Sequence, residues 1–517
     1  MTVAPPRAHA PARAARRPWS LLAAAFVVVV VAAGIALRFV TRSELWLDEA
    51  LSVSIARLPL GDLPEALRHD GAPPLYYVLL HGWIDVFGDG NVAVRALSGI
   101  FAVAALPLAW AAGRRLGGRP VAVSALVVLA TSTFHIRFAT EARMYALEMF
   151  LVLAGYLALC RALERPVFGR LALVAAATGL LLYTQYWALY LVAVVGALLA
   201  WRAWRQRDRA ARSALAAVAA GCLTLLPWAG IFLYQLRNTG TPWGEAVTPV
   251  TAVGGTALAF AGGEHAEGIA LVAPLVLLAL LAVFGRAVDR RRIELDLRTV
   301  PGVRWEAVVA VATLTLGALA SFAGGTAYQS RYASIMFPLF ALVVAFGITV
   351  FADHRLRAGA LVLVALLGLV GGVRNAREQR TQAFQAAGEI RARARPGDVV
   401  VYCPDQVGPD VSRLLPAELG LAQVRYPDLG DPRFVDWVDY AERHRSADPA
   451  AVATAVLDLA GPVQDVWLVW APGYRHVTGQ CEALADALAR DRPGRTTLVL
   501  PDDAFFEFQG LLRFPPP

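Results

Sequence analysis

The chain has 517 residues, 57% of them hydrophobic and 17% charged, with a formal net charge of +8. A mean hydropathy of +0.52 excludes an ordinary soluble domain. All 48 basic residues are arginine, and Ala, Arg, Gly and Pro dominate the usage, which points to a GC-rich bacterial genome. These arginines recur between apolar runs instead of gathering on one soluble face. That spacing speaks for a lipid bilayer as partner and against nucleic acid.

Residues 1–18 are rich in Pro, Ala and Arg and read as a disordered cytoplasmic tail. Trp19 to Leu37 is long enough to span a bilayer and lacks a small-residue cleavage site, so it reads as an uncleaved helix. About eleven spans follow from the apolar runs: 19–38, 92–113, 119–136, 144–163, 169–186, 187–204, 212–234, 268–286, 306–324, 333–351 and 357–374. Alternate connections carry the arginines, for example Arg114, Arg115 and Arg119, then Arg202 to Arg212, then Arg286 to Arg292. All fall on the side of the basic N-terminus. The expectation is a multi-pass protein of the bacterial cytoplasmic membrane, with a cytoplasmic N-terminus and an extracytoplasmic C-terminal region.

The first external loop, about 39–91, holds the adjacent carboxylates Asp48 and Glu49 in Glu44-Leu-Trp-Leu-Asp-Glu49. Neighbouring side chains point apart in a strand and lie about 100° apart on a helix. One carboxylate is therefore expected at a reaction centre and the other in the frame of the loop. Asp48 also fits the N-cap of a short helix over Glu49 to Ala56. Further short helices are expected over Leu60 to His69 and Pro74 to Phe87, the last lying at the interface with Tyr and Trp at headgroup depth.

After Arg374 the composition changes. Strands are expected at Asp398 to Cys403, Trp467 to Trp470 and Thr497 to Leu500, with one more within Phe505 to Phe514. Helical patterns at 409–421, 435–445, 449–460 and 479–490 separate them, so 375–517 reads as an α/β domain with a mainly parallel sheet. No Gly-rich nucleotide loop is present. Cys403 and Cys481 each follow a predicted strand, and both a disulfide and two buried thiols are open. Cys160 and Cys222 read as packing residues, and no Cys/His cluster indicates a metal site.

Leu45-Trp-Leu-Asp48-Glu49, then Pro73-Pro-Leu-Tyr76-Tyr77, then Glu141-Ala-Arg143-Met-Tyr145 follow one another in this order, with Arg331-Tyr332 and Pro338 beyond them. This series resembles the GT-C glycosyltransferases, in the branch of the protein mannosyltransferases and lipid A aminoarabinose transferases. The resemblance covers 19–374. It implies a GT-C-like polytopic α-helical membrane domain followed by the extracytoplasmic α/β domain. It also implies a polyprenyl-phosphate sugar donor, mannose foremost, and a lipid, glycan or protein acceptor. Where the family often has His directly before Pro-Pro, this chain has Ala72, with His69 three residues earlier.

Transfer from such a donor needs a base for the acceptor hydroxyl and positive charge for the leaving phosphate. The resemblance assigns the base to Asp48, with inversion, while Glu49 orients the loop or touches the acceptor. Arginine suits a phosphate because its planar fork donates two hydrogen bonds and stays charged. Arg143 and Arg331 are the donor-phosphate candidates, against the alternative of interface anchors. Glu141, Tyr145, His69, Tyr76 and Tyr332 complete the substrate-binding set, with packing the competing reading for Tyr145 and Tyr332. If 141–145 is helical, Glu141 and Tyr145 share a face and Arg143 points away. The chemistry requires no cofactor, and Asp48, Glu49, Asp70 and Glu141 are the oxygen ligands on hand for a divalent metal. A transporter or flippase of a lipid-linked sugar is the alternative, and it calls for polar residues in mid-span.

Overall fold

The computed structural model describes residues 18–242, 244–299, 302–474 and 477–517. The expected tail over 1–18 lies, but for its last residue, outside the described residues. The apolar runs are helices, as hydrocarbon demands, because each backbone polar group must find its partner within the segment. Seven described helices are long and apolar enough to cross a membrane: Asn91–Thr131, Tyr145–Glu164, Ala188–Arg205, Arg209–Asn238, Ala266–Phe284, Arg304–Ala323 and His354–Arg377. The first of these contains two straight pieces. Gly117 and Gly118 leave helical geometry, Gly118 at a φ of +72° that favours glycine, and divide the runs read as 92–113 and 119–136. Leu21–Leu37, Phe168–Leu182 and Phe337–Val350 are shorter apolar helices.

Two expected spans stop short at one end. The run read as 169–186 is helical only to Leu182, and Tyr183 to Trp187 form turns. The run read as 333–351 begins with the 3-10 turn Ser330–Ile335 and becomes α-helical at Phe337. Arg331 rides on that turn. At the end of Pro18–Leu37, the buried Arg38 donates to the carbonyls of Gly34 (2.6 Å), Ala130 (2.7 Å) and Leu129 (2.8 Å). It thereby satisfies carbonyls that the end of Asn91–Thr131 leaves open.

The stretch read as the first external loop folds into three short helices, Leu47–Ala56, Leu63–Asp70 and Leu75–Phe87. The first begins two residues earlier than expected, with Trp46 at its cap, so Asp48 lies in the first turn and is not the N-cap.

The C-terminal region forms a five-stranded sheet. After a small hairpin of β1 (Gly285–Ala287) and β2 (Ile293–Leu295), its strands are β3 (Val399–Cys403), β4 (Ala422–Arg425), β5 (Val466–Trp470), β6 (Thr496–Val499) and β7 (Gly510–Phe514). Their order is β4-β3-β5-β7-β6. β3 pairs in parallel with β4 and β5, while β7 runs antiparallel to both β5 and β6. Four of the five strands thus run the same way and β7 runs against them, because Pro501 to Gln509 return the chain as a hairpin instead of a helical crossover. β4 had no counterpart in the sequence reading, where its short, partly polar run was hidden beside a helical pattern.

One hydrophobic cluster spans both parts of the chain. Leu47, Leu51, Ile55, Leu67 and Tyr77 of the loop helices are buried with Val399, Val401, Tyr426 and Trp437 of the C-terminal region. Hydrogen bonds reinforce this contact, from Trp437 N to His69 O (3.0 Å) and from Asp439 N to Asn238 O (3.0 Å).

Cys403 and Cys481 are joined in a disulfide, their Cα atoms 5.5 Å apart, while Cys160 and Cys222 are free. Cys481 lies on the helix Gln480–Asp491 and not at a strand end. Peptide mapping without reductant is expected to recover 403 and 481 as one cross-linked pair and the other two as thiols. Cys403→Ser is expected to cost about 2–4 kcal/mol of stability, because the closed loop is long; two free thiols in the native protein would overturn the pairing.

Candidate active site

Glu49 is fully buried, which an isolated carboxylate would not tolerate. It is held by Arg95, which donates from Nε to Oε1 (2.7 Å) and from Nη2 to Oε2 (2.5 Å), and by the backbone N–H of Ala142 (2.9 Å). Arg380 approaches within 3.9 Å. Burial pushes the Glu49 carboxyl up, but Arg95, Arg380 and the Ala142 amide outweigh it and hold the group below the usual carboxylate range. The remaining Arg95 donors go to the carbonyls of Ser43 (2.6 Å) and Glu44 (2.9 Å). Glu49 thus joins the loop, the helix Asn91–Thr131 and the 141–145 motif.

Asp48, next in line, faces elsewhere. Arg331 Nη1 donates to its Oδ2 at 2.9 Å, and Arg143 Nη2 stands 3.9 Å from the same oxygen. Arg143 Nη1 donates to Ser52 Oγ (2.9 Å) and to Tyr77 OH (3.3 Å), and Tyr77 in turn donates to Asp70 (2.6 Å). Burial raises the Asp70 carboxyl above its usual range, against the pull of Arg143. Tyr76 OH pairs with Ser98 Oγ (3.0 Å), which donates to the Arg143 carbonyl (3.1 Å). Arg143 is therefore a buried hub behind Asp48. Segment 141–144 is not helical, since the helix starts at Tyr145, so the shared face expected for Glu141 and Tyr145 does not arise. The Glu49 bond to Ala142 and the draw of Asp48 on Arg143 unwind that turn.

A cavity of about 320 Å³ opens beside this cluster, lined by Trp46, Arg137, Glu141, Arg331, Arg374 and Phe506 among others. Arg137 Nε donates to Glu141 Oε1 (2.8 Å), while Glu141 Oε2 is buried without a hydrogen-bond partner among the described residues. Arg374 is engaged by Glu267 (2.5 Å) and Glu378 (2.7 Å). A second cavity, about 270 Å³ and largely apolar, lies among the membrane helices around Tyr156 and Trp305, away from the carboxylates.

Of the sequence candidates, Asp48, Arg143, Arg331 and Tyr76 converge, and Glu141 and Arg331 reach the cavity. Tyr145 is buried against Phe138, with ring centroids 4.7 Å apart, and the Tyr332 ring packs 5.7 Å from that of Trp187. His69 turns away to Asp436 (2.8 Å) and has no place in the cavity. Arg95, Ser52, Tyr77, Trp46, Arg380 and Phe506 had no assignment. Trp46 and Tyr77 stood inside the motifs named above without a role, and Arg95 is an arginine just inside an apolar run. Asp48, Glu49, Asp70 and Glu141 do not gather as metal ligands among the described residues: each is spent on an arginine or a tyrosine.

The C-terminal region reaches the site through Glu507. Both of its carboxyl oxygens accept from the N–H of Leu47, at 3.2 and 3.1 Å, capping the helix that bears Asp48. Glu507 also shares a hydrogen bond with the buried Asp410. Burial pushes the Asp410 carboxyl up to about 6, and burial with the facing Asp410 drives Glu507 well above its usual range.

Residues 71–230 match the model of the dolichyl-phosphate-mannose-protein mannosyltransferase family. No curated protein matches the chain in sequence. The fold is that of ArnT from Cupriavidus metallidurans. Its apo crystal structure superposes with a TM-score of 0.61 at 12% identity, covering 95% of this chain and 98% of that one. The structure of ArnT bound to undecaprenyl phosphate gives 0.59 at 14% identity, covering 96% and 98%.

Two measurements check this geometry. Glu49→Ala leaves Arg95 buried and unpaired and is expected to lose about 3–5 kcal/mol, read as a lower melting temperature in detergent; Asp48→Asn, which still offers Arg331 an acceptor, is expected to melt near wild type. Asp410 and Glu507 bind protons more tightly folded than unfolded, so their contribution to stability is full at low pH and is lost as pH rises through the folded value. Wild-type melting temperature is expected to fall relative to Asp410→Asn between about pH 4, the unfolded carboxyl value, and about 6; a constant difference would sink that assignment.

In sequence over 71–230 the chain resembles the dolichyl-phosphate-mannose-protein mannosyltransferases, and over nearly its whole length its fold is similar to that of ArnT.

Proposed function

We propose that the protein is a membrane glycosyltransferase. It moves a sugar, mannose foremost, from a polyprenyl phosphate to an acceptor hydroxyl on the extracytoplasmic face of a bacterial cytoplasmic membrane. The observation that carries this is the Asp48–Arg331 pair at 2.9 Å, with Arg331 also lining the cavity. One arginine thereby touches both the carboxylate and the space for a donor. ArnT, which shares the fold, has been seen with undecaprenyl phosphate bound, and the donor class proposed here follows that precedent.

In this reading the acceptor hydroxyl attacks the anomeric carbon as Asp48 takes its proton. The bond from that carbon to the phosphate oxygen breaks on the opposite face, so configuration inverts and polyprenyl phosphate leaves. Arg331 and Arg137, both lining the cavity, meet the charge that builds on the departing phosphate. Among the described residues only Oδ2 of Asp48 is paired, which leaves Oδ1 to the acceptor. Arg143 positions Asp48 directly, 3.9 Å from its Oδ2, and through Ser52, whose hydroxyl donates to the Asp48 carbonyl. Arginines meet the phosphate charge, so the reading calls for no cofactor.

Radiolabelled transfer from polyprenyl-phosphate mannose in membranes tests it. Wild type is expected to transfer, Asp48→Asn to lose about 10²–10⁴-fold in rate with normal insertion, and Arg331→Ala and Arg143→Ala to lose activity as well. Transfer retained by Asp48→Asn would remove the base. If wild type failed with a panel of lipid-linked sugars, transport of such a lipid would take its place.

A further inference from the structure

Phe506 is the side chain that the proposed chemistry leaves unused. It belongs to the C-terminal region, yet it lines the cavity among the membrane helices and the first loop. Its relative exposure of 60% is high for a phenylalanine set inside a wall. Three anchors hold it there. Glu507 N donates to Arg380 O (2.9 Å), Gln382 N donates to Glu507 O (2.9 Å), and the Glu507 carboxyl receives the N–H of Leu47. The ring stands edge-on to Trp46, with centroids 5.2 Å apart. Arg137 lies 6.0 Å from the Phe506 ring and Arg331 5.5 Å from that of Trp46. Arginine, tryptophan, phenylalanine and arginine thus follow one another along one wall.

That sequence of side chains fits a sugar phosphate. A pyranose ring has an apolar C–H face that lies against an aromatic ring, and a phosphate beside it meets a guanidinium. Two further atoms on lining residues, Trp46 Nε1 and Glu141 Oε2, are buried without partners, one a donor and one an acceptor. Native structures leave few such groups unpaired, and they cluster where a site is incomplete.

We propose that Phe506 is a sugar-binding residue of the transfer site, delivered by the C-terminal domain, and that the donor's pyranose ring packs on its exposed face between Arg331 and Arg137. The proposal rests on the donor class put forward above. It makes the C-terminal domain part of the binding site.

Binding to the purified full-length protein in detergent tests it, with mannosyl polyprenyl phosphate and bare polyprenyl phosphate as probes. Phe506→Ala is expected to weaken the sugar-bearing probe about tenfold while leaving the bare one unchanged. Phe506→Tyr, which keeps the ring, is expected to bind both as wild type does. Equal losses for both probes would make Phe506 a contact for the isoprenoid, and no loss would remove it from the site; either overturns the proposal, as does wild type that binds neither probe. Wild type that binds the mannosyl probe but transfers nothing would sink the transferase reading and leave the sugar platform standing.

Discussion

A carboxylate with no exposed surface survives only if its charge is met, and Glu49 meets it with Arg95, the Ala142 amide and, at longer range, Arg380. These partners come from the start of the helix Asn91–Thr131, from the 141–145 motif and from the segment leaving the last membrane helix. Stretches far apart in the chain are thereby drawn to one point. The cost of desolvating such a cluster is large, and its value lies in how strongly it forbids other arrangements. Asp48 inherits its place from this knot. Fixed one residue before Glu49 on the same short helix, it points from the knot toward Arg331.

The arginines divide the work by burial. Arg95 is sealed in by the Glu49 carboxylate and the carbonyls of Ser43 and Glu44, and Arg380 by hydrogen bonds to Thr140 and Asn375. Burial with the nearby Arg137 charge pushes Arg380 down to about 9. Arg143 is occupied with Ser52, Tyr77 and Asp48, which suits positioning more than binding. Arg331 and Arg137 each join an acid partner to the cavity and an aromatic neighbour. Residue type is the same in every case, and surroundings decide the role.

The C-terminal region is bound into this arrangement by two kinds of contact. Its apolar side chains share a cluster with the loop helices, so neither surface is complete alone. Its Glu507 then caps the helix Leu47–Ala56, which has no side-chain cap of its own because Trp46 stands at that position. A helix N-terminus left open in a buried place would carry unmet N–H groups. The distant carboxyl fills that need and brings Phe506 to the cavity with it.

The membrane helices were legible because their cause is local: long apolar runs between arginine-bearing turns can satisfy the backbone only as helices. The motif order from Asp48 through Arg143 to Arg331 was legible for the same reason, since residue types and spacing carry it. Tertiary structure decided what those residues touch. Nothing in the spacing of Asp48 and Glu49 says which is buried; that depends on Arg95, 46 residues away. Nothing near Glu141 says that its turn is unwound, because the groups that hold it open lie in the first loop. The mixed sheet, the removal of His69 to Asp436 and the arrival of Glu507 at Leu47, 460 residues distant, have no local signature. Sequence by itself determined the helices and the chemical types of the site; partners brought together by packing determined which carboxylate meets Arg331 and which holds the frame.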